Sequence, residues 1–237
     1  MGRGLIAVLA LGFGLCGCAV KPGPDGRAEP HFDPRYLAKT DIDRVVDASR
    51  EQVMEGLFRV ADKLYRRNPR EWRKAGLTDR EAALARLRDY RHQAPAELAG
   101  QREGAAAIMA FSPEYPGDRV AALMYGLLTM VDAAYAHKDE FFILDALDEQ
   151  KLYNCARNME IAVWKLAAAK DAAGEALLLS NEIGAGQRNL SFEREFGRII
   201  GLLDFMSKVV ADKNGRTVSR VTHTLATSLF LPVGLLK

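Results

Sequence analysis

The chain has 237 residues, 49% of them hydrophobic and 27% charged, with a formal net charge of +2. Such a chain is long enough to bury a core as one domain, and its composition excludes a disordered polymer. So balanced a charge gives nucleic acid no electrostatic handle, and none is expected as a partner.

In chain order, Met1 to Gly4 form a short n-region with Arg3 as its one charge, followed by the apolar run Leu5 to Leu15. This is a secretory signal layout, too short for a membrane span of ~20 apolar residues. Leu15-Cys16-Gly17-Cys18 closes it and resembles the lipobox of bacterial lipoproteins. The resemblance covers about 18 residues and implies cleavage after residue 17, with diacylglycerol and an N-acyl chain on Cys18. Ala19, where an aspartate would retain a lipoprotein in the inner membrane, implies sorting to the outer membrane, facing the periplasm. Multiple acyl chains make a firm anchor, since one chain holds only marginally. Gly12-Phe13-Gly14-Leu15-Cys16-Gly17 spells a G-x-G-x-x-G. No strand precedes it and cleavage would remove it, so it is not a nucleotide cradle.

Residues 18–39 carry Pro22, Pro24, Pro30 and Pro34 with Gly23 and Gly26, and read as an extended tether. Some twenty residues of such chain span about 25 Å root-mean-square. A domain is expected over 40–237. Thr40-Asp41-Ile42-Asp43 reads as a helix start, and Ile42, Val46, Val53, Leu57, Val60, Ala61 and Leu64 recur at helical spacing as far as Asn68-Pro69. A short helical piece to Ala75 ends at Gly76. Thr78-Asp79-Arg80-Glu81 looks like a capping box for a helix to about His92, and 96–110 reads as one more helix. Asp118 is the expected cap of the central core helix, which is uncharged from Val120 to Val131.

Residues 140–183 are rich in helix formers, with a stripe at Leu147, Leu152, Cys155, Met159, Ala162, Leu166 and Ala169. Ser191 is the expected cap of a further helix ending at Asn214-Gly215, and 217–230 reads as a last amphipathic segment. The apolar end from Leu225 to Leu236 is expected to pack on the core, with partner or membrane docking as the alternative. No run alternates like a strand, and the 34-residue signature of tetratricopeptide repeats is missing. The fold class is all-α, an irregular multi-helix bundle behind a signal peptide and a tether.

Chemistry is sparse. The four histidines, His31, His92, His137 and His223, are scattered, and neither H-E-x-x-H nor a Glu followed three residues later by His occurs. No metal or cofactor is therefore expected. No G-x-S-x-G surrounds a serine, and Gly184-Ala185-Gly186-Gln187-Arg188 lacks the Lys-Ser/Thr of a phosphate loop. Once Cys16 is cleaved off and Cys18 acylated, Cys155 stands alone and reads as a buried core thiol. Asn189-Leu190-Ser191-Phe192-Glu193-Arg194 distantly resembles a segment of peptidoglycan-binding OmpA-like domains. The spacing differs and no upstream strands are predicted, while a helix cap accounts for the serine.

Charge patterning says more. From Arg59 to Arg91 there are eleven Lys/Arg against five Asp/Glu, and from Asp139 to Glu160 six acids against two bases. A solvated helix face explains both. The sharper reading makes Arg66, Arg67, Arg70, Trp72 and Arg73 a face toward anionic lipid or an acidic partner. The expected function is that of a lipid-anchored, non-enzymatic accessory or assembly factor that binds another envelope protein. The alternatives are an envelope enzyme whose site assembles only in three dimensions, and a binder of cell-wall polymer. A concave polar pocket uniting two or more of Asp139, Asp148, Glu160, His137 and Tyr153 would mark the enzyme.

Overall fold

The computed structural model describes residues 20–22, 28–30, 39–184, 187–215, 218 and 229–234. The signal peptide, Cys18, His31, His223, most of the tether and most of the 217–230 segment lie outside the described residues.

Within the stretch expected to be wholly extended, β1 (Val20–Pro22) pairs antiparallel with β2 (Ala28–Pro30). The body begins at Thr40, whose hydroxyl accepts the Asp43 amide while the Asp43 carboxylate accepts the Thr40 amide. This reciprocal cap starts α1 (Asp41–Arg67). The expected stripe is buried from Val46 to Leu64, but Ile42 is exposed, and Asp43 beside it is buried against Lys213. At the far end Asn68 grips the Leu179 peptide from both sides, its amide nitrogen donating to the carbonyl at 2.9 Å and its oxygen accepting the amide at 2.8 Å.

α2 (Arg70–Lys74) ends before Gly76, which takes a left-handed φ of +69°. The cap of α3 (Arg80–Arg88) is Asp79 and not Thr78: its carboxylate accepts the Ala82 amide at 2.7 Å. The helix also stops at Arg88, short of His92. The single helix expected over 96–110 is split into a 3₁₀ turn at Ala96–Leu98 and α4 (Glu103–Met109), because Ala99, Gly100 and Glu103 all take positive φ.

Asp118 caps α5 (Arg119–Ala134) through the Ala121 amide, and every residue of that helix is buried. α1, α4 and α6 (Glu149–Ala168) surround it. The expectation that 140 onward is helical fails at both ends. α6 starts only where Asp148 accepts the Gln150 and Lys151 amides, and after Ala168 the chain leaves the helix and forms β3 (Glu182–Gly184), paired with β4 (Gln187–Asn189). α7 (Ser191–Asn214) then runs antiparallel to both α1 and α6: Glu195 meets Arg59 and Lys63, and Asp204 meets Arg157. Ser191 is not its cap. Asn189 and Asn181 supply that role, accepting the Ser191 and Phe192 amides. The fold is all-α and multi-helical, with seven α-helices among the described residues and these two short strand pairs.

Of the apolar C-terminal run, 229–234 are described. Val233 is fully buried, Phe230 packs on the core, and Leu229 stays exposed. Core packing, the expected outcome, holds for Phe230 and Val233 and not for Leu229.

Candidate functional site

The expected basic face is largely neutralised by the body itself. Arg66 pairs with Asp62 at 2.8 Å, Arg67 with Glu182 at 3.1 Å, and Arg70 with the fully buried Glu71 at 3.2 Å. Arg73 lies over the Trp72 ring, and that ring is half-buried, edge-on to Tyr65. Trp72 is therefore a core-facing residue and not a protruding anchor. Arg66, Arg67 and Arg70 thus already have carboxylate partners, and Arg73 has the Trp72 ring.

Of the residues that would mark a catalytic pocket, the structure brings His137 and Asp139 to one place. Asp148 serves as the cap of α6, and Tyr153 and Glu160 both bind Arg157 along that helix, the ring under its guanidinium and the carboxylate at 3.1 Å.

The place that gathers chemistry is the C-terminal end of α5. Asp132 is the first acid after a long uncharged run and is almost fully buried. A carboxylate near a helix C-terminus faces the negative end of the dipole and needs cations or donors around it. It has them. Tyr90 donates to it at 3.0 Å and Arg91 Nε at 2.9 Å, with Arg91 Nη2 making a further bond. His137 Nδ1 lies 2.7 Å from the other oxygen, and Arg50 Nη2 approaches to 3.7 Å. Burial pushes the Asp132 carboxyl up, but the Arg91 and His137 bonds and the Arg91 charge outweigh it and hold the group below the usual carboxylate range. Burial beside this carboxylate pushes the Tyr90 hydroxyl up to about 12.

The turn after α5 explains how His137 gets there. The His137 amide donates to the Asp132 carbonyl and the Ala136 amide to that of Ala133, a Schellman-type end. Such ends favour glycine, yet Ala136 and His137 take φ of 54° and 59°. That left-handed pair is strained backbone, of a kind concentrated at functional sites. It folds the His137 ring back onto Asp132 and sends the chain on to Asp139.

Asp139, 62% exposed, lays one oxygen 2.6 Å from Arg50 Nη2 and the other 2.6 Å from Arg91 Nη1. A single carboxylate thus bridges two guanidinium groups. The Arg50 side chain is only 10% exposed, and among the described residues its Nε is buried without a hydrogen-bond partner. On either side of Asp139 the surface is hollow. One hollow of about 500 Å³ has Asp47, Glu51, Glu55 and Glu140 on its wall; the other, of about 380 Å³, has Arg88, Asp89, Tyr90, Arg91 and His92. Both share Arg50, Met54, Phe58 and Asp139, so they are two halves of one cleft, acidic at one end and at the other mixed, with two arginines against Asp89.

The sequence reading named His137 and Asp139 but missed Arg50, Tyr90, Arg91 and Asp132. Two signals pointed to them. Arg50 falls on the apolar stripe between Val46 and Val53, and Asp132 ends the most apolar helix. A charge at such a position must find a partner inside the protein.

Among the described residues no group of His, Cys, Asp and Glu is arranged to hold a metal ion, and no helix is long and apolar enough to cross a membrane. The chain matches no family profile, no curated protein and no solved structure.

Proposed function

We propose that this protein is a lipid-anchored component of the bacterial cell envelope, held through acylated Cys18 in the outer membrane facing the periplasm, which works by binding. The anchor rests on Arg3, the apolar segment and Leu15-Cys16-Gly17-Cys18, and the sorting on Ala19. The observation that carries binding is the cleft over Met54 and Phe58, whose ends differ in charge and whose centre is a buried arginine with an unused donor. A difference in charge between two ends of one recess selects and orients a partner more than it adds raw affinity.

Two experiments test this. Cys18→Ala should release the protein into the soluble fraction, and wild type should incorporate labelled palmitate. Retention of the mutant on membranes, with no palmitate in wild type, would defeat the anchor. For binding, a photoreactive side chain at position 58, half-buried on the cleft floor, should crosslink one envelope component in intact cells, and Arg91→Glu should abolish that crosslink. An identical crosslink pattern in the Arg91 variant would remove the cleft from the function.

A second reading is favoured by the Asp132–His137 pair. A buried carboxylate on Nδ1 fixes the ring tautomer and leaves Nε2 as a base, on a ring that is 63% exposed. This is the arrangement of a general base, and it is why envelope enzyme stays as the alternative. If His137→Gln leaves partner capture intact while abolishing a measurable turnover of that partner, catalysis replaces binding as the function.

A further inference from the structure

Asp139 occupies the spot that an external carboxylate would fill. Its two oxygens divide between Arg50 and Arg91 at 2.6 Å each, the geometry in which paired guanidinium groups hold a carboxylate ligand. The residue is mostly exposed and sits just beyond the left-handed Ala136–His137 pair, so little burial holds it in place. Arg50 differs. Its side chain is nine-tenths buried, and among the described residues its Nε has no partner even with Asp139 in position. Asp132 stays 3.7 Å away, but the short contact of Arg50 is the one to Asp139, so a ligand that displaces Asp139 is favoured when it brings an anion of its own.

The surroundings narrow the chemistry. The shared floor is Met54 and Phe58, with the Arg88 guanidinium 5.2 Å from the Phe58 ring centre, so the ligand carries an apolar portion next to its acid. In the acidic half, Lys39 already lies 2.5 Å from Asp47 and 3.5 Å from Glu140, an internal ammonium in the place such a group prefers. Glu51 and Glu55, one turn apart on α1, continue that wall, Glu55 with Arg59 at 3.6 Å and Gln52 at 3.4 Å. Like charges there disfavour a ligand with a second negative group and favour one with a positive end.

We infer that the cleft binds an amino-acid-like or short-peptide zwitterion, whose carboxylate replaces that of Asp139 between Arg50 and Arg91. Its apolar side chain lies over Met54 and Phe58, and its ammonium faces Glu51 and Glu55. Asp139 is then a built-in competitor that keeps Arg50 paired while the cleft is empty. The inference rests on the proposed binding function and gives it a ligand class.

The test is calorimetric titration of the purified full-length protein in detergent with leucyl-leucine, its N-acetyl form, its C-terminal amide and inorganic phosphate. Leucyl-leucine should bind best, the N-acetyl form more weakly, and the amide and phosphate least. If the Asp139-closed state holds nine-tenths of the molecules, Asp139→Ala should raise affinity about tenfold. Arg91→Gln should abolish binding, and a melting curve for each variant shows that it is folded. The inference is overturned if the amide binds as well as the free acid, if phosphate binds more tightly than the dipeptide, if no probe binds, or if Asp139→Ala leaves affinity unchanged or lowers it. Loss of dipeptide binding with a surviving crosslink at position 58 would discard this ligand class and leave the binding function standing.

Discussion

Asn158 on α6 holds the Leu231 peptide from both sides, its oxygen accepting the Leu231 amide at 2.6 Å and its nitrogen donating to the Leu231 carbonyl at 2.8 Å. One turn earlier, Asn154 donates to the Pro232 carbonyl at 3.0 Å. Two side chains on one helix face thus replace the backbone partners that an extended segment would find in a sheet. Asn158→Ala strips both bonds from half-buried peptide groups and should cost about 1–3 kcal/mol. The expected readouts are a lower melting temperature and rapid proteolytic loss of the segment that places Val233 in the core. A variant that melts with wild type and keeps its C-terminus under protease would show that the asparagine is dispensable.

Gly126 marks where α4 and α5 come closest. A Cβ there would lie 2.5 Å from both the Ala107 nitrogen and the Glu103 carbonyl oxygen, backbone atoms that cannot rotate away. Gly126→Ala should therefore destabilise by about 1–3 kcal/mol, despite alanine's better helix propensity of about 1 kcal/mol. Gly197 and Gly201 on exposed turns of α7 have nothing within 4 Å of a built Cβ, and alanine there should stabilise by about 0.5–1 kcal/mol. Chemical denaturation of the three variants gives opposite signs if the packing is as described.

Asp118 links the fold to pH. Burial pushes its carboxyl up to about 6, against donors from the Ala121 amide and the Tyr65 hydroxyl, and the nearby Glu71 charge adds to the rise. The unfolded chain titrates near the ordinary 3.8. Between those values the folded state keeps a proton that the unfolded state has lost. Stability from this group is thus present at the acid end and declines as pH rises through 6, by on the order of 2–3 kcal/mol. Asp132 acts oppositely: held below its usual range, it contributes stability above about pH 4 and loses it on further acidification. Asp118→Asn can still accept the Ala121 amide, so it should flatten the profile between pH 4 and 6.5 and leave the acid limb intact. A variant profile that declines as steeply as wild type from pH 4 to 6.5 would show that Asp118 is not the titrating group.

The parts of the fold that were legible in the sequence are those decided by local chemistry. Thr40 with Asp43, and Asp118 before an uncharged run, fix the starts of α1 and α5 within a few residues, and the structure keeps both. Residues 140–147 have helix-forming composition yet stay non-helical, because distant groups take their backbone: Asp47 of α1 accepts the Phe141 amide at 2.8 Å. Ser191 loses its role as cap for the same reason, to Asn181 across the β3–β4 pair. The candidate site follows this rule. Arg50, Arg91 and the turn that carries Asp132 and Asp139 come from three separated segments, and no spacing in the chain could join them. Only the incongruity of Arg50 and Asp132 among apolar neighbours announced that a buried charge cluster existed.

The three cysteines allow the lipid anchor and the core to be read in one measurement. Cys155 is completely buried on α6, and burial pushes its thiol far up from its ordinary value, so almost no thiolate is present at neutral pH. The folded protein should therefore leave Cys155 unlabelled by a thiol reagent over minutes, and labelling should appear with global unfolding. After denaturation the count discriminates. Removal of Cys16 with the signal and acylation of Cys18 leave one reactive thiol per chain. Cleavage without acylation gives two, and an unprocessed chain gives three. One thiol from membrane-extracted protein, rising to two when diacylglycerol transfer is blocked but cleavage is restored artificially, would tie the anchor to Cys18. Three thiols in the membrane fraction would mean that the N-terminal segment stays attached and that something other than a lipid on Cys18 holds the protein there.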